Sequence, residues 1–344
     1  MEPRTKSQIQ TEPLSSHERL NPERHSERHA ERHSKRDLGR GLLLAAFGAS
    51  LAQPLTAQTH QLSALVVPAS QERHVGKIAF VELVTPNLSV AKRFYAGLFD
   101  WDFRDLKVGA DDYAEASLDG RLVAGLTHRA LAAGEQGRSA WLTFISVQDV
   151  NATMKTALAR GAKVLLEPRS QANRGQQAVF ADPQGAVFAV LASSSGDPPD
   201  ELADPGEWIW SSLSTTDPEA DAGFYQDVFD YEVHDLDDVD DISGTEGVAD
   251  AAPQHLLFAT EDYARASANI LQAKQAGASP HWLNYVHVED VTEMCAKLIS
   301  LGGRVLVEPR MDRQGGRVAI AADPLGAAFG LLEWPGAQDK EVTS

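Results

Sequence analysis

The sequence ADPQGAVF at residues 181–188 returns as ADPLGAAF at residues 322–329, which is 141 positions further along the chain. An Asp-Pro-x-Gly step supplies the residues that a tight turn needs, and the apolar residues after it indicate a strand. A turn and a strand that recur with so few changes indicate that part of the chain is duplicated.

The duplication extends well beyond this turn. Three further pairs of segments are repeated in the same order: VQDV at 147–150 with VEDV at 288–291, VLLEPR at 164–169 with VLVEPR at 305–310, and FYAGLFDW at 94–101 with FYQDVFDY at 224–231. We therefore predict a leader at 1–74, a first domain at 75–193, a polar linker at 194–205, a second domain at 206–335 and a tail at 336–344. Each half is expected to be close to an independent folding unit.

Each copy shows the same order of predicted elements: a strand, a helix and three strands, followed by the same five again. Residues 80–85 read as a strand, and Asn87 caps a helix whose apolar residues recur at helical spacing. Asp149 caps the second helix, and Asp217 and Asp290 begin the helices of the second copy. The sequence thus predicts an α+β fold of paired βαβββ units in two tandem copies.

Composition and charge exclude several classes of function. The 344 residues carry a net charge of −18, and an acidic surface repels phosphate backbones, so we expect no binding to nucleic acid. Cys295 is the single cysteine, which excludes an intrachain disulfide and a cysteine-rich metal centre. Its position on the apolar face of a predicted helix favours a buried, inert thiol over a nucleophile.

The first forty residues contain a repeated Glu-Arg-His motif. It places His25, His29 and His33 four residues apart, so that on a helix they would share one face and could hold a metal ion. The composition is more typical of a solvated tail without a core, which is the interpretation that we favour.

A short apolar run occupies residues 41–52, directly after Arg40. Basic residues followed by about twelve apolar residues are typical of a secretory signal, and such a run is too short to span a bilayer comfortably. We predict export, with the periplasm as the destination and no membrane span in the mature protein. The alternative is a cytoplasmic protein with a disordered tail. N-terminal sequencing should find a mature chain that begins soon after Ala52 or Ala57, whereas an intact Met1 would contradict export.

The predicted units resemble the vicinal-oxygen-chelate superfamily, which includes glyoxalases, bleomycin-resistance proteins and extradiol dioxygenases. The resemblance rests on the Phe-Tyr and Leu-Phe pairs of the first helix, the Val-x-Asp-Val helix start and the Asp-Pro-x-Gly turn, and it covers about residues 77–193 and 206–335. It implies that paired units form a cupped mixed sheet around a divalent metal. The metal ligands of that family are His or Glu side chains on the first and last strands of each unit.

Six of the positions that correspond to those metal ligands carry side chains that cannot bind a metal. They are Phe80, Leu142, Ala189, Trp210, Leu283 and Gly330. We therefore predict a protein without metal or other cofactor. This departure places in doubt the lyase, isomerase and dioxygenase chemistries that depend on a metal.

The cups themselves remain as candidate binding sites. Since strand residues two apart face the same side, the residues next to the vacant ligand positions should line the concave faces. The candidate ligand-binding residues are Phe80, Glu82, Phe144, Ser146, Trp210, Ser212, Ser214, Tyr285 and His287. The alternative for Glu82 and His287 is a place at a strand edge in solvent.

Three functions fit this sequence. The first is a metal-free protein that binds a small molecule in the cup of each domain. The second is an enzyme of the same superfamily, in which Glu82 or His287 acts as an acid–base group or a non-standard metal site operates. The third is an interaction module whose cups are filled by its own side chains.

An acidic stretch at residues 235–241 resembles a calcium loop only in its density of aspartates, and we interpret it as a solvated loop.

Overall fold

The computed structural model describes residues 61–129, 138–236, 255–271, 279–311 and 316–334. The histidine repeat, the apolar run at 41–52 and most of the acidic stretch lie outside the described residues. None of the described helices is long and apolar enough to cross a membrane.

The first copy contains eight strands and two helices: β1 (Ile78–Thr85), α1 (Leu88–Phe99), β2 (Asp102–Val108), β3 (Asp111–Leu118), β4 (Arg121–His128), β5 (Ala140–Ser146), α2 (Val150–Ala159), β6 (Lys163–Gln171), β7 (Gly175–Ala181) and β8 (Val187–Ser193). The second copy repeats the order: β9 (Trp208–Thr215), α3 (Pro218–Phe229), β10 (Glu232–Asp235), β11 (His255–Thr260), β12 (Tyr263–Ile270), β13 (His281–His287), α4 (Val291–Ser300), β14 (Arg304–Met311), β15 (Arg317–Ala322) and β16 (Ala328–Leu332). This is the predicted α+β arrangement.

Each copy forms one eight-stranded mixed sheet, with the order β2-β3-β4-β1-β5-β8-β7-β6 in the first and β10-β11-β12-β9-β13-β16-β15-β14 in the second. The first strands of the two units, β1 and β5, pair antiparallel at the centre. Each of them also pairs in parallel with the last strand of its own unit. The centre of each sheet is therefore built from the strands that the sequence assigns to the cup.

Local sequence explains where the helices begin. Asn87 stands in extended backbone before α1, and its side-chain oxygen accepts a hydrogen bond from Val90 N at 3.1 Å. Asp149, Asp217 and Asp290 cap the other three helices in the same way. Each cap satisfies a backbone N–H that has no partner within the helix. The predicted helix starts are confirmed.

Alternating residues of the central strands face two different environments. On β1, Val81 and Leu83 pack into a large cluster with α1, whereas Phe80 and Val84 belong to a separate cluster on the other face. Glu82 shares the face of Phe80 and Val84 because strand residues two apart point the same way. Each sheet thus has a helix-covered face and a concave face, as the alternation predicts.

The helix-covered faces of the two copies share their hydrophobic cores. One cluster joins residues of α1, such as Phe94 and Leu98, to residues of α4 and β16, such as Leu298 and Phe329. A second cluster joins Phe188 of the first copy to Phe224 of the second. Because each core is built from both copies, this packing does not support the expectation that each half folds alone.

Two tyrosines link the copies reciprocally. The Tyr95 hydroxyl of the first copy donates to Asp323 of the second at 3.4 Å, and the Tyr225 hydroxyl of the second donates to Asp182 of the first at 3.0 Å. Both aspartates belong to the repeated Asp-Pro-x-Gly turns, where backbone N–H groups also donate to them. Burial raises the pKa of both tyrosines well above the ordinary value. These contacts, called here the tyrosine–aspartate clamps, give the repeated turn a role between the copies.

The linker at residues 194–205 is polar, as predicted, but it is tied to the protein. The hydroxyl of Ser195 accepts hydrogen bonds from Leu65 N and Val66 N at 3.0 and 3.2 Å. Asp200 pairs with Lys77 of the first copy and with Arg265 of the second, at 2.5 and 2.6 Å. The linker therefore contacts the segment that precedes β1 and also β12 of the second copy.

Cys295 lies on α4, and its side chain is buried in the first shared cluster. Burial raises the pKa of the thiol, which disfavours the reactive thiolate. The prediction of a buried thiol is confirmed.

Asp221 should make stability depend on pH. Burial in the first turn of α3 raises the pKa of its carboxyl from 3.8 to about 7, and the charges of Asp182 and Asp217 add to the shift. Between these pH values the folded state binds a proton that the unfolded state has released, so stability falls as pH rises through this window. We expect Asp221→Asn to stabilise the protein by roughly 1–2 kcal/mol at pH 8, and to do little at pH 4. Urea unfolding at both pH values measures this, and an equal effect at both would contradict it.

Candidate functional site

The concave face of the first sheet has an apolar floor. Seven buried side chains form it: Phe80, Val84, Leu142, Phe144, Val179, Ala189 and Leu191. The rings of Phe80 and Phe144 meet edge to face, with centroids 5.9 Å apart. Three of the six mapped metal-ligand positions therefore lie in this floor as core residues.

Glu82 is a buried carboxylate in this cup, with 9% of the residue exposed. Its Oε1 accepts a hydrogen bond from Thr127 Oγ1 at 2.6 Å, and its Oε2 accepts one from the Tyr113 hydroxyl at 2.9 Å. Burial raises the pKa of Tyr113 well above the ordinary value, and the charge of Glu82 adds to the shift. Glu82 therefore faces the cup and does not lie in solvent at the strand edge.

Glycine on β4 makes this arrangement possible. A Cβ atom at Gly125 would lie 1.9 Å from the Tyr113 hydroxyl and 3.2 Å from Glu82 Oε2. The tyrosine reaches Glu82 across the bare backbone of β4, so this position admits no side chain without a shift of Tyr113.

A second charged group in the first cup was missed by the sequence analysis. Glu115 on β3 accepts hydrogen bonds from Arg174 at 2.9 Å and from Arg104 at 2.5 Å. Arg174, in the turn between β6 and β7, also lies over the ring of Phe80, with its guanidinium carbon 4.2 Å from the ring centroid. Strand alternation could have placed Glu115 on the concave face, but no local pattern marks Arg174.

Residues 61–66, called here the N-terminal segment, close the first cup. Ser63 donates to Glu115 from its backbone N–H at 2.7 Å and from its hydroxyl at 2.8 Å. Leu62 packs against Leu106 and Tyr113, and Leu65 packs against the apolar floor. In this structure, the first cup is therefore occupied by the protein's own side chains.

Ser146 lies at the end of β5 and is fully buried. Its hydroxyl donates to Asp197 of the linker at 2.5 Å, so the linker occupies the polar group that the sequence analysis assigned to a ligand.

The second cup uses different side chains at the same register. Ser212 pairs with Leu283 as Glu82 pairs with Leu142, and Trp210 pairs with Tyr285 as Phe80 pairs with Phe144. The two aromatic residues are half-buried, whereas Phe80 and Phe144 are 7% and 3% exposed. Trp210 and Tyr285 are thus accessible at positions where the first cup is covered.

Hydrogen bonds fix these aromatic side chains. The hydroxyls of Ser212 and Tyr285 lie 3.1 Å apart, and Trp210 Nε1 donates to Ser267 Oγ at 3.2 Å. On the same side of the sheet, His255 and Asn269 are hydrogen-bonded at 3.0 Å. Of these residues, Ser267, Asn269 and His255 were not singled out by the sequence analysis, although their strand alternation matches that of Gly125, Thr127 and Tyr113.

Gly330, another mapped metal-ligand position, gives space to Tyr285. A Cβ atom there would lie 1.9 Å from the Tyr285 ring. The remaining candidates lie near this group. Ser214 is half-buried further along β9, and the Nδ1 atom of His287 lies 2.7 Å from the Ala203 carbonyl oxygen of the linker. The structure therefore brings Trp210, Ser212 and Tyr285 together, with His287 directed to the linker.

Among the described residues of the two cups, no three His, Cys, Asp or Glu side chains lie close enough to share a metal ion. In the first cup, both oxygens of Glu82 are engaged and the mapped ligand positions are apolar. Elsewhere in the described part of the chain, His74, Asp200 and Glu261 are close enough to share an ion. Lys77 and Arg265 already pair with these carboxylates, and their positive charges oppose a divalent cation.

Both halves of the chain match known families. The model of the glyoxalase/bleomycin resistance protein/dioxygenase superfamily matches residues 77–190, and that of a glyoxalase-like domain matches residues 210–332. The anthracycline biosynthesis protein DauV of a Streptomyces species is 30% identical over 280 residues, which cover 77% of this chain and 97% of DauV. CFP32 of Mycobacterium tuberculosis, provisionally named a glyoxylase, is 28% identical over 269 residues, covering 78% of this chain and 98% of CFP32.

Solved structures show the same fold at low sequence identity. The 2,3-dioxygenase LapB from Pseudomonas sp. KL28 has a TM-score of 0.52 at 12% identity, with 77% of this chain and 94% of LapB covered. The Mn(II)-bound glyoxalase from Novosphingobium aromaticivorans has a TM-score of 0.50 at 17% identity, with 76% and 83% covered. On the two domain matches and the full-length relatives, this chain belongs to the glyoxalase/bleomycin resistance protein/dioxygenase superfamily, as a member with two tandem domains.

Proposed function

We propose that this chain is a metal-free small-molecule-binding protein whose accessible site is the second cup. The observation that carries the proposal is the contrast between equivalent positions: Trp210 and Tyr285 are half-buried, whereas Phe80 and Phe144 are buried beneath the N-terminal segment. A concave surface of aromatic side chains with a few fixed polar groups is typical of sites for small molecules.

The chemistry of the second cup favours a planar aromatic ligand with polar substituents. Trp210 and Tyr285 offer ring surfaces for stacking, and their orientation is fixed by hydrogen bonds to Ser267 and Ser212. The hydroxyl and amide groups of this cup can form hydrogen bonds with hydroxyl or carbonyl groups of a ligand that carries no charge. The name of DauV supports this class, because anthracyclines are planar polycyclic molecules that carry hydroxyl and carbonyl groups.

An anthracycline is therefore the probe for this site. Titration followed by quenching of tryptophan fluorescence should show saturable binding to the full chain. We expect Trp210→Ala and Tyr285→Ala each to weaken binding by roughly tenfold or more, as expected for aromatic anchors. Thermal stabilisation of the protein by the probe supplies an independent reading of the same binding.

Tyr263→Ala is the matched control, because this tyrosine is 50% exposed on β12. It should leave the affinity unchanged. Saturable binding that neither Trp210→Ala nor Tyr285→Ala weakens would place the ligand elsewhere.

Acid–base catalysis finds less support from the geometry. Glu82 is held by Tyr113 and Thr127 within the first cup, and His287 Nδ1 lies against a linker carbonyl. Neither group is presented among the polar side chains around Trp210 and Tyr285, so binding is the function that this surface supports best.

Metal content provides a separate prediction. We expect purified protein without the histidine-containing first sixty residues to carry no stoichiometric divalent ion, because the described residues of both cups do not provide a set of ligands. Elemental analysis showing about one zinc, iron or manganese ion per domain would overturn this expectation.

A further inference from the structure

The N-terminal segment fills the first cup with apolar groups but brings no charge. Its sequence is QLSALV, in which Leu62 and Leu65 supply the large side chains. Ser63 donates to Glu115, and the backbone of the segment donates to Ser195. The segment also accepts hydrogen bonds from Arg104 and Asn173. The segment therefore covers apolar side chains of the cup with its leucines, but it carries no charge that could pair with the cationic part of the cup.

That cationic part is Arg174, which is 3% exposed. One nitrogen, Nη2, donates to Glu115, but Nε and Nη1 have no hydrogen-bond partner among the described residues. A guanidinium group carries five N–H donors, and leaving them unsatisfied in a buried place is costly. Its contact with the Phe80 ring places these donors at the apolar floor.

Glu115 does not use all of the capacity of Arg174 to bind an anion. Its two oxygens also accept hydrogen bonds from Arg104 and from both donors of Ser63. Arg174 can therefore bind a second carboxylate, for which its fork of donors is the best-matched side chain.

We propose that the first cup is a second ligand site, selective for apolar molecules that carry a carboxylate, and that the N-terminal segment competes for it. The ligand body replaces Leu65 on the floor and Leu62 beside Tyr113, and its carboxylate binds the Nε and Nη1 donors of Arg174. This site is separate from the second cup and does not depend on the function proposed for it.

The test uses octanoate and octan-1-ol, which differ in the charged group, and calorimetric titration of the full chain. The double variant Leu62→Ala/Leu65→Ala removes both large side chains of the segment from the cup and keeps its backbone contacts. We expect it to bind octanoate roughly tenfold or more tightly than the unmodified chain does, because the competing side chains are gone. Val67→Ala, at an 83% exposed position just beyond the segment, should change nothing.

Arg174 is tested in the double variant. Adding Arg174→Gln should abolish the preference for octanoate over octan-1-ol, and Arg174→Lys should restore part of it. Adding Trp210→Ala should have no effect, which separates this site from the second cup. Failure of the double variant to gain affinity, or a gain that depends on Trp210 and not on Arg174, would overturn the proposal. If the double variant lacks a cooperative thermal transition, Leu65→Ala alone provides the same comparison.

Discussion

A chain divided after residue 200 is expected to yield two halves that do not fold as stable monomers. Each half would expose its share of two clusters that now contain residues of both copies, including the rings of Phe94, Phe188, Phe224 and Phe329. Burial of each such side chain is worth ~1.5–3 kcal/mol, while a whole domain is stable by only ~5–15 kcal/mol. Residues 61–200, expressed alone, should therefore show no cooperative urea transition.

Mixing the separately produced halves is the control for this experiment. Because the clamps and shared clusters form between residues of both halves, the mixture should recover the far-ultraviolet circular dichroism and the cooperative transition of the intact chain. A monomeric isolated half with its own sharp transition would restore the expectation that each copy is an independent unit.

Gly125→Ala should cause the largest loss among single substitutions in the first cup. The added methyl group would lie 1.9 Å from the Tyr113 hydroxyl, so the ring must move and Glu82 must lose a hydrogen bond. Displacing a buried tyrosine and leaving a buried carboxylate with fewer donors should cost roughly 2–4 kcal/mol of unfolding free energy. Chemical denaturation measures this loss.

Gly223→Ala is the matched substitution in a place with open space. Gly223 lies within α3, and apart from the neighbouring backbone of that helix, no atom of the described residues lies within 4 Å of an added Cβ there. Alanine should stabilise the helix by roughly 0.5–1 kcal/mol. If Gly125→Ala were as well tolerated as Gly223→Ala, the close approach of Tyr113 to β4 would not be a feature of the folded protein.

The sequence was sufficient for the features that depend on local chemistry. The duplicated turn predicted the two copies, Asn87 and Asp149 predicted where helices begin, and alternation placed Glu82 on the concave face. Each of these follows from a hydrogen bond or a periodicity contained within a few residues. The same holds for Cys295, whose helical neighbours indicated its burial.

Features that depend on distant partners could not be predicted. Periodicity shows that Phe94 and Phe329 are buried but not that they belong to one cluster. Residues 61–66 have no counterpart in the repeat, and Ser63 meets Glu115 from 52 positions away. Arg174 sits in a turn, where no pattern separates a solvated arginine from one stacked on Phe80. In the second cup, alternation singled out candidates on the strands of Trp210 and Tyr285, but it did not single out Ser267 on the neighbouring strand.

Because of the tyrosine–aspartate clamps, amino-acid substitutions should be more constrained on the helix-covered face of each sheet than on the concave face. A substitution at Asp182 alters the environment of Tyr225, and one at Asp323 alters that of Tyr95. We therefore expect each aspartate to change during evolution only together with its tyrosine in the other copy. Within the part of the chain that the structure describes, the concave faces have no such hydrogen bond between the copies. In aligned relatives, covariation should therefore connect the copies through their helix sides, while residues such as Glu82 and Ser212 diverge independently and allow one scaffold to acquire two different chemistries.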